Sequence, residues 1–131
     1  MSPDYLKMML VGYLLTIAVE TVVLLALLSR RHPVRVRLFA GVWLTACTYP
    51  VVWVVLPPLF EERWLYLLVA ETFAPVAECA LFWFAFVRPL SKQDRRATWR
   101  DFAAVVLANL ASFGLGEVIN HYRGFERVAG A

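Results

Sequence analysis

Four apolar stretches of about twenty residues, each closed by a charged or proline-bearing break, run through the 131-residue sequence. They extend from about Leu6 to Leu28, Leu38 to Pro57, Trp64 to Val87 and Phe102 to Asn120. A helix rises about 1.5 Å per residue, so each stretch matches a hydrocarbon core of about 30 Å. Backbone polar groups cannot stay unpaired in lipid, which leaves helices or barrel strands. Barrel strands alternate in polarity and span about ten residues, unlike these unbroken runs. The expected fold is therefore all-α: an integral membrane, four-helix antiparallel bundle forming a single domain over 1–131. Short loops make successive helices neighbours. Thr98-Trp99-Arg100-Asp101 reads as a capping box opening the fourth helix after a polar linker from Ser91.

Hydrophobic residues make up 61% of the chain, against about 45–50% in soluble domains. The net charge of +3 does not point to nucleic acid, because the basic residues sit in loops between apolar stretches. Arg30, Arg31, Arg35 and Arg37 follow the first stretch. Arg88, Lys92, Arg95, Arg96 and Arg100 follow the third. Lys7, Arg63, Arg123 and Arg127 fall at the opposite end. This asymmetry predicts cytoplasmic basic loops with both termini outside. Trp43 and Trp99 then mark one interface, and Trp53 and Trp64 the other. The first stretch is too long for a signal-peptide core and no A-x-A-like site follows it, so it is expected to remain as a membrane helix. Cys47 and Cys79 lie apart within apolar stretches and read as small buried hydrophobes.

Polar residues inside the stretches carry the functional information: Glu20, Thr45, Thr48, Glu71, Thr72, Glu78, Asn109, Ser112 and Glu117. A charge at the bilayer centre costs at least ~2.5–3.5 kcal/mol, so these carboxyls must be neutral, paired or cation-bound, and turned from lipid. Helical rise puts Glu20 and Glu78 at one depth, about 21 Å from the outer end. Glu71 lies about 10 Å in, and Asn109 and Thr48 fall near 13–15 Å. The expected proton- or cation-binding set is Glu20, Glu71, Glu78, Asn109 and Thr48. No basic residue shares their depth. Interhelical hydrogen bonding of neutral Glu with Asn or Thr is the structural alternative.

Glu71 and Glu78 are two turns apart on one face, with Pro75 between them. Pro75 releases the Glu71 carbonyl from its helical bond, and Pro50 releases that of Ala46. Such carbonyls either bind cations, as in broken transporter helices, or merely accompany bends that shape the bundle. Glu117 and His121, at i and i+4 on the outer rim, read as a helix-end hydrogen bond more readily than as two ligands of an incomplete metal site. His32 and His121 both read as solvated edge residues. Ala104, Ala108, Ser112 and Gly116 form a stripe of small residues expected to pack closely against another helix.

Thr48-x-Pro50-x-x-Trp53, the pair Glu71 and Glu78, and Asn109-x-x-Ser112-Phe113-x-x-Gly116 together resemble small four-helix bacterial membrane proteins of no assigned activity. The resemblance implies a bacterial inner membrane and nothing about chemistry. Small multidrug transporters are similar in size and carry a helix-one Glu, but Val19-Glu20-Thr21-Val22 lacks their small-residue surroundings. Fluoride channels have an Asn-containing, Gly-rich stretch on a different helix. No nucleophile–base pair, complete metal set or cofactor motif is present, which argues against an enzyme and leaves any cofactor unspecified. The expected function is binding or conducting a proton, cation or cationic small molecule, in a homo-oligomer within the lipid bilayer. The rival is a non-catalytic accessory subunit of a larger membrane complex.

Overall fold

The computed structural model describes the backbone of residues 3–129 and the side chains of residues 3–118. Four helices account for the architecture, and no strand occurs among the described residues. Helix α1 spans Pro3–Leu27 and α2 spans Val34–Pro50. Beyond Pro50 the chain widens into a π-helical turn, Val51–Val55, and then tightens into a 3-10 turn, Pro57–Leu59. Helix α3 spans Arg63–Phe82 and likewise widens at Trp83–Val87. Helix α4 spans Arg95–Ala129. All four are long and apolar enough to cross a membrane.

The helices pack in a ring in which α1 touches α2 and α4, and α3 touches α2 and α4. Both basic loops fall at one end of the bundle, and the start of α1 meets the end of α2 at the other. Large apolar side chains cover the outer surface, Leu14 being 66% and Val22 64% exposed. Water is a poor solvent for so continuous an apolar surface.

The apolar core lies in the half of the bundle nearest the basic loops. Leu24, Leu28, Ala40, Leu44, Phe82, Val87, Ala104, Val105 and Ala108 build it, each from the helix half adjoining those loops. Tyrosines join the other half. Tyr5 donates to the Trp53 carbonyl at 2.8 Å, Tyr66 to that of Val52 at 2.7 Å and Tyr49 to that of Met9 at 3.0 Å. Val52 and Trp53 lie in the wide turn after Pro50, where bonds shift to i→i+5, as from Leu56 to Val51.

Three expectations need correction. The capping box does not form, because α4 starts earlier. Asp94 caps it by accepting from the amides of Arg96 and Ala97 at 3.0 and 3.3 Å. The small-residue stripe packs along Ala104, Ala108 and Ser112, the last reaching Glu20, but not at its end, where a side chain at Gly116 would meet nothing within 4 Å. The tightest approach lies instead between α1 and α2, where a Cβ on Gly41 would stand 2.9 Å from Thr21 Cα. Cys47 faces outward, while Cys79 is half-buried.

Candidate functional site

One face of each helix turns inward, and the polar residues on those faces meet just beyond the apolar core. Glu20 is 3% and Glu78 2% exposed, and Thr45, Thr48 and Asn109 are buried with them. Glu20 comes from α1, Thr45 and Thr48 from α2, Glu78 from α3, and Asn109 and Ser112 from α4. Every helix thus contributes, which makes the cluster a product of the whole bundle.

Glu20 has two cross-helix partners. Thr45 Oγ1 donates to its Oε2, and Ser112 Oγ to its Oε1 at 3.2 Å. Each hydroxyl also faces a carbonyl of its own helix: Gly41 at 3.0 Å from Thr45, and Asn109 at 3.0 Å from Ser112. A hydroxyl has one proton to donate. When Glu20 is ionised, both hydroxyls donate to it. When it is protonated, its own O–H is given to a hydroxyl, which rotates its proton onto the helix carbonyl. Either state is fully bonded with the heavy atoms in place.

Glu78 is engaged by the Asn109 amide, which also donates to the Val105 carbonyl at 3.0 Å. Glu20 and Glu78 lie within electrostatic reach of one another, Glu71 within reach of both, and Glu117 within reach of Glu71. Glu71 is half-buried. The four carboxyls therefore form a chain of electrostatic neighbours, from Glu117 through Glu71 to Glu20 and Glu78. Among the described residues, no Lys, Arg or His lies within 4.0 Å of Glu20, Glu71 or Glu78. Glu117 meets Arg63 at 3.3 Å in an exposed pair.

Thr48 is buried, but its hydroxyl donates along its own helix to Leu44 at 3.1 Å. It lines the cluster without bonding a carboxyl. Thr45 and Ser112 hold that role instead. Depth along a helix is countable from sequence, but the direction around the axis that selects Thr45 over Thr48 is not. The His121 side chain lies outside the described residues. Among the described residues, no group of three or more His, Cys, Asp or Glu side chains could hold a metal ion.

A second polar cluster ties the basic loops together. Asp101 is 0% exposed. Its carboxylate accepts from the Ser29 amide at 2.7 Å, Ser29 Oγ at 3.1 Å, Arg31 Nη2 at 3.0 Å and His32 Nε2 at 2.8 Å. Arg31 also donates to Thr98 at 2.9 Å. The expectation of a solvated His32 is overturned: it is buried against Asp101, with its ring edge-on to Phe82 at 5.2 Å. Arg37 donates to the carbonyls of Leu25, Ser29 and His32, closing the last turn of α1. Several arginines counted as loop charge thus staple helix ends. The sequence signal for Asp101 was an acid set directly against the fourth apolar stretch, one of two, with Asp94, in a segment otherwise basic.

Compared with protein-family models, with curated proteins and with solved structures, the chain matches none.

Proposed function

We propose that the chain is a multi-pass membrane protein that binds a proton or a cation at the Glu20–Glu78 pair, as part of a transporter or channel. The four apolar helices support insertion, and the basic asymmetry supports cytoplasmic basic loops with both termini outside. The observation that carries the site is the burial of two carboxyls from different helices within electrostatic reach of one another, with no basic partner among the described residues. Two bare carboxylates in a low-dielectric interior repel, so the pair holds at least one proton or a bound cation. The hydroxyls around Glu20 accommodate either charge state. Glu71 and Glu117 lead from the tyrosine end to the pair, while Leu24, Leu44, Phe82 and Val105 fill the opposite half. Exchange with solvent is thus proposed from the outer end, with a homo-oligomer enclosing any continuous path.

Infrared spectroscopy of the protein in lipid tests this. A protonated-carboxyl band at neutral pH that disappears in Glu78→Gln or Glu20→Gln supports proton binding. Cation-dependent thermal stabilisation that is lost in the double Gln variant supports a cation. A second reading follows from the bonds of Thr45, Ser112 and Asn109 to the carboxyls: a neutral Glu can be interhelical glue in an accessory subunit. Absence of both signals favours that subunit.

A further inference from the structure

A groove of about 420 Å³ opens on the outer surface between α3 and α4. Pro75 and Val76 form one wall, and Trp99, Phe102 and Val106 the other. Val76 is 65% and Trp99 70% exposed. The two remaining lining residues, Thr72 and Cys79, have their polar atoms turned to backbone. Thr72 donates to the Leu68 carbonyl at 2.8 Å, and the Cys79 thiol to that of Phe102 at 3.7 Å. The groove therefore presents hydrocarbon and makes no hydrogen-bonding demand on an occupant.

Its end at Trp99 is basic. Trp99, Phe102 and Val106 share a face of α4 at spacings of three and four, and the next residue on that face toward the helix start is Arg95. Arg95 and Arg96 are exposed, and among the described residues neither is in an ion pair. The two acidic residues of this region are already engaged: Asp94 caps the helix and Asp101 is enclosed by Ser29, Arg31 and His32. Trp99 adds an amphipathic ring of the type that sits at headgroup level.

We propose that this groove seats one acyl chain of an anionic phospholipid, whose phosphate meets Arg95 and Arg96. Hydrocarbon walls with a cationic mouth match that amphiphile in both parts, and basic pockets between membrane helices favour acidic headgroups. A zwitterionic lipid fills the groove but gains little from the mouth. A second copy of the chain brings its own arginines to the same place and is repelled. The proposal rests on insertion in a bilayer and is independent of the carboxyl cluster.

The test uses the full chain in neutral detergent, with phosphatidylglycerol and phosphatidylcholine of identical acyl chains, read by native mass spectrometry. One retained phosphatidylglycerol per chain and loss of phosphatidylcholine are expected. The R95Q/R96Q double variant should lower phosphatidylglycerol affinity about thirtyfold, at about 1 kcal/mol for each basic contact. Filling the groove with Val76→Trp, or with Val76→Phe as the milder change, should lower it with the arginines intact. Both sites are exposed, and unchanged helical circular dichroism confirms folding. The E20Q/E78Q variant should keep the lipid, which separates this site from the proton or cation site. Equal retention of both lipids overturns the proposal. So does loss on charge removal without loss on groove filling, since that describes a surface patch. Disulfide cross-linking of two chains through Cys79 in the lipid-free protein also overturns it.

Discussion

His32 Nε2 stands 2.8 Å from Asp101 Oδ2, joining the loop after α1 to the first turns of α4 across 69 residues of sequence. Ser29 and Arg31 complete the enclosure of the same carboxylate. Removing the acid leaves the buried His32 ring without its acceptor and the half-buried Arg31 with Thr98 alone, and breaking a buried ion pair from one side costs about 3–5 kcal/mol. Asp101→Ala should therefore lower the melting temperature in detergent sharply. Asp101→Asn keeps an acceptor for the Ser29 amide and should cost less. Equal melting of wild type and Asp101→Ala would show that the clasp contributes nothing to stability.

Thr45 and Ser112 should prove coupled through Glu20. Each donates to a different oxygen of that carboxyl. Thr45→Val and Ser112→Ala should each destabilise by about 1–3 kcal/mol, the cost of an unpartnered buried polar atom. In Glu20→Gln the cost of losing either hydroxyl should fall, since the charge is gone. A double-mutant cycle on thermal unfolding measures the coupling, and strict additivity would count against a shared carboxyl.

Gly41 and Gly116 should respond in opposite ways to the same substitution. A Cβ at position 41 meets the Thr21 backbone, which cannot swing aside. Gly41→Ala should cost about 1–3 kcal/mol through overpacking. At position 116 nothing lies within 4 Å, and Gly116→Ala should be neutral or stabilise by up to about 1 kcal/mol from helix propensity. Melting temperatures of the two variants decide it.

Both basic loops should label from one side of the membrane and both chain ends from the other. Single cysteines placed near Lys92 and in the tail, in a Cys47→Ser, Cys79→Ser background, should show opposite protection from an impermeant thiol reagent. Labelling of both positions from the same side would reject the arrangement.

The four helices were legible because length and apolarity alone specify a helix that needs no water. The start of α4 was not, because Asp94 and Thr98 offer caps four residues apart and local pattern cannot rank them. Counting rise along the axis put Glu20 and Glu78 at one depth, and the bundle buries both within electrostatic reach of each other. The count could not tell Thr45 from Thr48, since helices apolar on nearly every side give little azimuthal information. The stripe ending at Gly116 showed which residues were small but not whether a neighbour lay opposite. The Asp101 clasp was hidden for a simpler reason. Its members lie about 70 residues apart, and only closure of the bundle brings them together.

The placement of the apolar core has a consequence for motion. Leu24, Leu44, Phe82 and Val105 lock one half of the bundle, and Asp101 bolts the loops beneath them. The other half is joined mainly by tyrosine hydroxyls and ring contacts among Tyr5, Tyr13, Tyr49 and Trp53. Local opening costs least where buried apolar contacts are few. Amide hydrogen exchange in lipid should therefore be graded along each helix, slow in the last turns of α1 and α3 and faster at their beginnings. The bundle would behave as a tweezer hinged at its basic end, whose tips part to admit solvent to Glu20 and Glu78 while the hinge stays shut.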